Sequence, residues 1–130
     1  MTAFLVDANV AIALVVGEHE HHERANTWLA GVDAFAFCPI VEGALVRFLL
    51  RLGHSGGTTS TVLTELTQHA KAQFWSDSLT YADVPLGDVR GHRQVTDVYL
   101  AALAGVHEAR LATFDVALTE LRPEQTFLIP

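Results

Sequence analysis

Four carboxylates stand at matching points along the chain: Asp7 in LVDANV, Glu42 in CPIVEGAL, Asp97 in QVTDVYL and Asp115 in LATFDVAL. A carboxylate in apolar surroundings is costly unless it is hydrogen-bonded, paired with a charge, or ligating a metal. Asp and Glu are also favoured at helix N-caps and first turns, where they meet free N–H groups and the positive end of the helix dipole. For any one of the four, capping accounts for the residue as well as function does. The set as a whole asks for more. Arg93 is the one basic residue within a helical turn of any of them. Clustered carboxylates without cationic partners repel, and some then hold their protons. A divalent cation relieves that repulsion, and hard oxygen donors select Mg²⁺ or Mn²⁺ over zinc.

For these acids to meet, the chain has to bring distant segments to one place. Short apolar runs predict strands over Ala3–Val6, Ala34–Cys38, Ser78–Ala82, Arg110–Thr113 and Thr126–Ile129. Between them, helices are expected over Ala8–Val16, Glu18–Ala30, Pro39–Leu52, within Thr58–Phe74, over Val95–Val106 and over Val116–Leu121. Pro39 suits a first helical turn and Gly53 a helix end. Strands alternating with helices imply an α/β fold, a mostly parallel sheet covered on both faces. In such sheets ligands gather beyond the carboxyl ends of the strands. Asp7 and Asp115, each just past a strand, belong on that rim. At about 100° per residue, Glu42 shares a helix face with Leu45, Val46 and Leu49, and Asp97 with Leu100, Ala101 and Ala104. Both therefore point toward packed structure.

The 130 residues fit a single domain spanning 1–130, and half of them are hydrophobic, enough for a core. A net charge of −7 with eight Lys and Arg argues against holding nucleic acid on a broad basic surface. It leaves room for an enzyme that meets phosphates through metal ions. One cysteine, Cys38, rules out an internal disulfide framework; it reads as a small buried hydrophobe and suits a reducing cytosol. No stretch reaches the roughly 20 apolar residues of a membrane span, and the N-terminus lacks the basic start of a signal peptide. A cytoplasmic protein without a membrane partner is expected.

The segments LVDANV, VEGALVRFLLR, GHRQVTDVYLAALA and LATFD, taken in this order and spacing, resemble a PIN-domain ribonuclease of the VapC type, the toxin of a bacterial toxin–antitoxin pair. The resemblance covers nearly the whole chain. It implies a three-layer α/β/α fold with a shared acidic pocket, in which Asp7, Glu42, Asp97 and Asp115 match the metal-binding and catalytic acids, and Asn9 and Thr113 the smaller polar residues. It further implies a VapB-like antitoxin as partner and a homodimer. The expected reaction is Mg²⁺-dependent hydrolysis of an RNA phosphodiester, with Mn²⁺ able to substitute. His92 and Arg93, in a Gly-bearing loop before Asp97, are candidate RNA contacts, although Arg93 is also placed to pair with Asp97.

Other features carry less. The run EHEHHE (Glu18–Glu23) spreads its imidazoles over different helix faces and reads as a solvated surface. Arg47 and Arg51 lie on the helix face away from Glu42, a surface role from which they could touch RNA phosphate or the antitoxin; charge compensation near the helix end is the preferred reading. Trp28 and Trp75 read as core or contact residues. Thr58 to Asp88 matches no motif. Two other readings compete: a catalytically silent PIN-like module that binds RNA or a partner, and a receiver-type phosphoacceptor domain. The second requires an aspartate ending a central strand and a lysine near the last strand. The sole lysine is Lys71, in mid-chain.

Overall fold

In the computed structural model, residues 3–130 are described. The chain runs β1 (Ala3–Val6), α1 (Ala8–Val15), α2 (His22–Gly31), β2 (Ala34–Phe37), α3 (Pro39–Arg51), α4 (Gly56–Thr67), β3 (Ala72–Phe74), α5 (Val95–Val106), β4 (Arg110–Thr113), α6 (Val116–Leu121) and β5 (Thr126–Leu128). Single 3₁₀ turns occupy Tyr81–Asp83 and His92–Gln94. The five strands form one sheet in the order β3-β2-β1-β4-β5, and every neighbouring pair is parallel. This is the predicted α/β architecture. The order also separates the chain from receiver-type folds, whose strands run 2-1-3-4-5.

Right-handed crossovers decide where the helices go. The path β1–β2–β3 moves one way across the sheet, so α1 to α4 share one face. The links β3–α5–β4 and β4–α6–β5 run the other way and place α5 and α6 on the opposite face. Both faces are therefore covered, and all four residues of β2 are buried, as are Leu5, Val6 and Leu111 to Thr113. Such unbroken apolar strands are characteristic of a buried parallel sheet. The main core packs Phe35, Phe37, Tyr99, Leu100 and Leu103 against them. Trp28 joins this core, edge-on to Phe4 at 5.6 Å between ring centroids. A smaller cluster of Ile12, Leu45 and Leu49 ties α1, α3 and α4 together.

The chain direction of travel reverses at β1, whose neighbours are β2 and β4. Reversal of this kind opens a crevice at the carboxyl ends of the two central strands. Asp7 and Asp115 lie at the ends of β1 and β4, on its two sides. Gly53 closes α3 in a left-handed conformation (φ 97°), with the His54 N–H reaching back to the Leu49 carbonyl. That geometry favours glycine.

One strand and one helix differ from expectation. The third strand is Ala72–Phe74, inside the stretch predicted as helix, and Ser78–Ala82 is not a strand. β3 is a three-residue edge strand, too short to display an alternating pattern. Its start is pinned by Lys71, whose Nζ donates to the Leu29 and Ala30 carbonyls. Around 78–82 the backbone is satisfied locally: the Thr80 hydroxyl accepts from the Ala82 N–H, and the Leu79 carbonyl accepts from the Tyr99 hydroxyl. Such short-range bonds compete with a ladder. Trp75 is core, as expected, yet follows a strand rather than ending a helix. Likewise α2 begins at His22 rather than Glu18. The His22 ring is held by the Ala13 carbonyl at 2.7 Å, and the His21 ring lies 4.6 Å from that of Phe114. Two of the imidazoles are thus tied to the body of the protein, while Glu18, Glu20 and Glu23 are exposed. Cys38 is fully buried, and burial pushes its thiol up to about 11, consistent with an inert hydrophobe.

Candidate acidic metal site

Asp7 caps α1. Its Oδ1 accepts the Val10 N–H at 2.9 Å, and its backbone is extended, as an N-cap requires. Asp115 does the same for α6, with Oδ1 accepting the Leu118 N–H at 3.1 Å. Capping is therefore real at both residues, but it does not exhaust them. Thr113, the last residue of β4, is fully buried; its hydroxyl donates to Asp7 Oδ2 at 2.5 Å and accepts the Asp115 N–H at 3.0 Å. One side chain thus joins the ends of two strands, across 106 residues of sequence.

The electrostatics follow from this placement. Asp7 is only 6% exposed. Burial pushes its carboxyl up to about 6; the hydrogen bonds from Thr113 and Val10 oppose the rise, and the charges of Asp97 and Asp115 add to it. Asp97, in the first turn of α5, is raised by burial and again by Asp115. Three acids from three segments therefore sense one another, and no arginine or lysine is among the groups that shift Asp7 or Asp97. Glu42, half-buried in the first turn of α3, is also raised, by burial and then by Asp77. Asp77 stands in the loop after β3, and nothing in its local sequence signals its approach to Glu42.

Two small clefts meet at Asp97. The first, about 220 Å³, is formed by the starts of α1 and α5 and one face of α3, and includes Asp7, Asn9, Asp97 and Arg47. The second, about 130 Å³, is flanked by Arg93, Asp97, Asp115 and Leu118. Asn9 is exposed at the mouth of the first cleft. His92 is exposed in the 3₁₀ turn that leads into α5, and Arg93, expected as an RNA contact, borders the second. Arg47 corrects the sequence expectation. Measured from Glu42 it lies on another face, yet it continues the stripe Ile40–Ala44–Arg47, and that stripe faces the acids. Spacing counted from Ile40, at i+4 and i+7, carries the missing signal. Arg51 sits in the last turn of α3, as expected of a charge near a helix end.

The donor set is all oxygen: carboxylates, one hydroxyl and one amide side chain. It fits a hard divalent cation and offers nothing to a soft one. Among the described residues, no three His, Cys, Asp or Glu side chains are already drawn into a metal-binding group. The rigid part of the site is Asp7 with Thr113; Asp97 and Asp115 are less enclosed. Replacing Thr113 tests that division. Thr113→Val keeps the shape but leaves a buried Asp7 oxygen and the Asp115 N–H without their partner. We expect a loss of about 1–3 kcal/mol in stability and a clear drop in activity. Thr113→Ser should recover both, as read by thermal unfolding and an RNA cleavage assay.

The comparisons with known proteins agree with this architecture. The family model described as PIN domain matches residues 4–122. The chain is 48% identical over 127 residues to a protein named Ribonuclease VapC29 from Mycobacterium tuberculosis, covering 97% of this chain and 96% of that one. Two solved structures share the fold at 14% identity each. VapBC2 from Rickettsia felis, bound to a DNA fragment from its promoter, has a TM-score of 0.70 and covers 99% of this chain and all of that one. VapC20 from M. tuberculosis, a toxin that cleaves the sarcin–ricin loop, has a TM-score of 0.66 over 91% of this chain and 94% of that one.

Proposed function

The chain belongs to the PIN-domain family as a VapC-type toxin ribonuclease, and from that premise we propose that it is a Mg²⁺-dependent endoribonuclease acting through Asp7, Glu42, Asp97 and Asp115. The observation that carries the metal reading is the convergence at the strand ends: buried Asp7 is tied through Thr113 to Asp115 and shares a cleft with Asp97, and burial with these two neighbours pushes its carboxyl up to about 6. A divalent cation would relieve the repulsion among these carboxylates.

In this reading Asp7, Asp97 and Asp115 would hold Mg²⁺, or Mn²⁺ in its stead; Glu42 borders neither cleft and has Asp77, not these acids, as its charged neighbour, so it would act from α3 through water. When bound, the ion neutralises charge on the phosphate and makes a water molecule more acidic. The rest falls to the chain itself. Thr113 fixes the Asp7 carboxylate by donating to Oδ2, so one rotamer of that acid is presented to the cleft. The α1 N–H at Val10 holds the other oxygen. Asn9, at the cleft mouth, orients water or a neighbouring carboxylate. His92 and Arg93 meet the RNA backbone. A water molecule would attack phosphorus in line, its P–O bond forming as the bond to the 3′ oxygen breaks; the water loses a proton to solvent and the leaving oxygen takes one up, giving a 3′ hydroxyl and a 5′ phosphate.

The wider setting follows the same reading. A VapB-like antitoxin is the protein partner, supported by the likeness to VapBC2. The working unit is a homodimer, whose groove compensates for the few basic residues, eight in 130. One domain carries the activity. No helix among the described residues is long and apolar enough to cross a membrane, which is compatible with a cytoplasmic enzyme. The test is direct. Purified protein incubated with total RNA is expected to cleave it in Mg²⁺ or Mn²⁺, to stop in EDTA, and to resume when Mg²⁺ is restored. Equal cleavage in EDTA would sink the metal mechanism, and RNA retention without cleavage in any metal would favour the silent module.

A further inference from the structure

We propose that Arg47 is a phosphate-binding residue, gripping the RNA backbone in the Asp7 cleft while Arg93 grips it in the cleft on the other side of Asp97. This deepens the nuclease reading and rests on it. Three observations carry it.

The first is position. Arg47 borders the cleft that contains Asp7 and Asp97, and Arg93 the one that contains Asp97 and Asp115. Asp97 belongs to both, so the two guanidinium groups bracket the acids. A polyanion laid across the rim meets a cation, the acidic centre, and a second cation in turn.

The second is how the side chain gets there. Helical side chains lean toward the N-terminus and cover the preceding turn. One turn back from Arg47 is Gly43. A Cβ at Gly43 would stand 3.5 Å from Arg47 Nη1. The guanidinium therefore lies back along a strip of helix that has no side chain, toward the end of α3 where the acids are.

The third is that Arg47 is uncommitted. Among the described residues it forms no ion pair within 4 Å, whereas Arg122 pairs with Asp88. Lys71 and Arg24 are also used, on the carbonyls of Leu29 and Ala30 and of Ile129 and Pro130. A counter-ion to the acids would sit on them. Arg47 instead stands in the cleft, exposed, with five donors in the planar fork that suits phosphate.

The experiment is a salt titration of binding. A fluorescein-labelled 12-nucleotide single-stranded RNA of mixed sequence is bound to the full chain in EDTA, from 25 to 200 mM KCl, and followed by anisotropy. Removing one phosphate contact flattens the slope of log K against log salt by about 0.7. Arg47→Gln is expected to show that change and to bind several-fold more weakly at low salt. Arg47→Lys should keep the slope and lose part of the affinity. Arg51→Gln, one turn along the same helix, should match the wild type. In Mg²⁺, Arg47→Gln should raise KM more than it lowers kcat. The proposal is overturned by an unchanged slope in Arg47→Gln, by an equal loss in Arg51→Gln, or by no wild-type binding in EDTA. Failure of the nuclease reading would show elsewhere, as RNA cleavage surviving in Asp7→Asn.

Discussion

Asp7→Asn is expected to cut RNA cleavage by about 10³-fold or more while the protein stays folded. Asparagine is as good an N-cap as aspartate, so the amide oxygen in place of Oδ1 still accepts the Val10 N–H, while the amide NH₂ in place of Oδ2 donates to the Thr113 hydroxyl instead of accepting from it. What disappears is the charge, at the most enclosed acid of the site. Loss of a few kcal/mol of transition-state stabilisation is enough, since each 1.36 kcal/mol is about tenfold in rate. Circular dichroism and gel-resolved cleavage of the same RNA under identical Mg²⁺ would check it. Wild-type cleavage by a folded Asp7→Asn would end the acidic-site mechanism.

The second large effect is on stability. Asp7 titrates at about 6 in the folded chain against a reference of 3.8. The native state therefore binds more protons than the unfolded state between those values, and stability falls as pH rises through that window. The penalty is absent below about pH 4 and complete above about pH 6. For a group this buried the gap corresponds to about 3 kcal/mol, and the raised carboxyls of Asp97 and Glu42 act in the same direction. In EDTA, the melting temperature of the wild type should fall between pH 5 and pH 7.5 by several degrees more than that of Asp7→Asn. Adding Mg²⁺ at pH 7.5 should recover most of that difference, because a ligand that binds only the native state stabilises it. Parallel curves for the two proteins in EDTA would show that Asp7 carries no such penalty.

Much of this was legible beforehand where local chemistry and tertiary position agree. Arg110–Thr113 and Val95–Val106 are found at the bounds their apolar patterns predict, and Asp7 and Asp115 do stand at strand ends beside the reversal of the sheet. β3 is an edge strand of three residues, set by pairing with β2 rather than by its own pattern. Arg47 was judged by its angle from Glu42, whereas its environment is decided by the reach of a long side chain over Gly43. Asp77 became a neighbour of Glu42 only through the path of the loop after β3. For β3 and Asp77 the deciding contact comes from a segment remote in sequence; for Arg47 it lies one turn back in its own helix.

The bridge from Asp7 through Thr113 to Asp115 has a consequence for timing. Its two ends are made far apart during translation, and β4 seats beside β1 only after the 106 residues that separate Asp7 from Thr113 have been synthesised. A ribosome producing this chain therefore carries a nascent segment with half a centre. In the nuclease reading, destructive capacity arrives only once β4 has left the ribosome and docked beside β1.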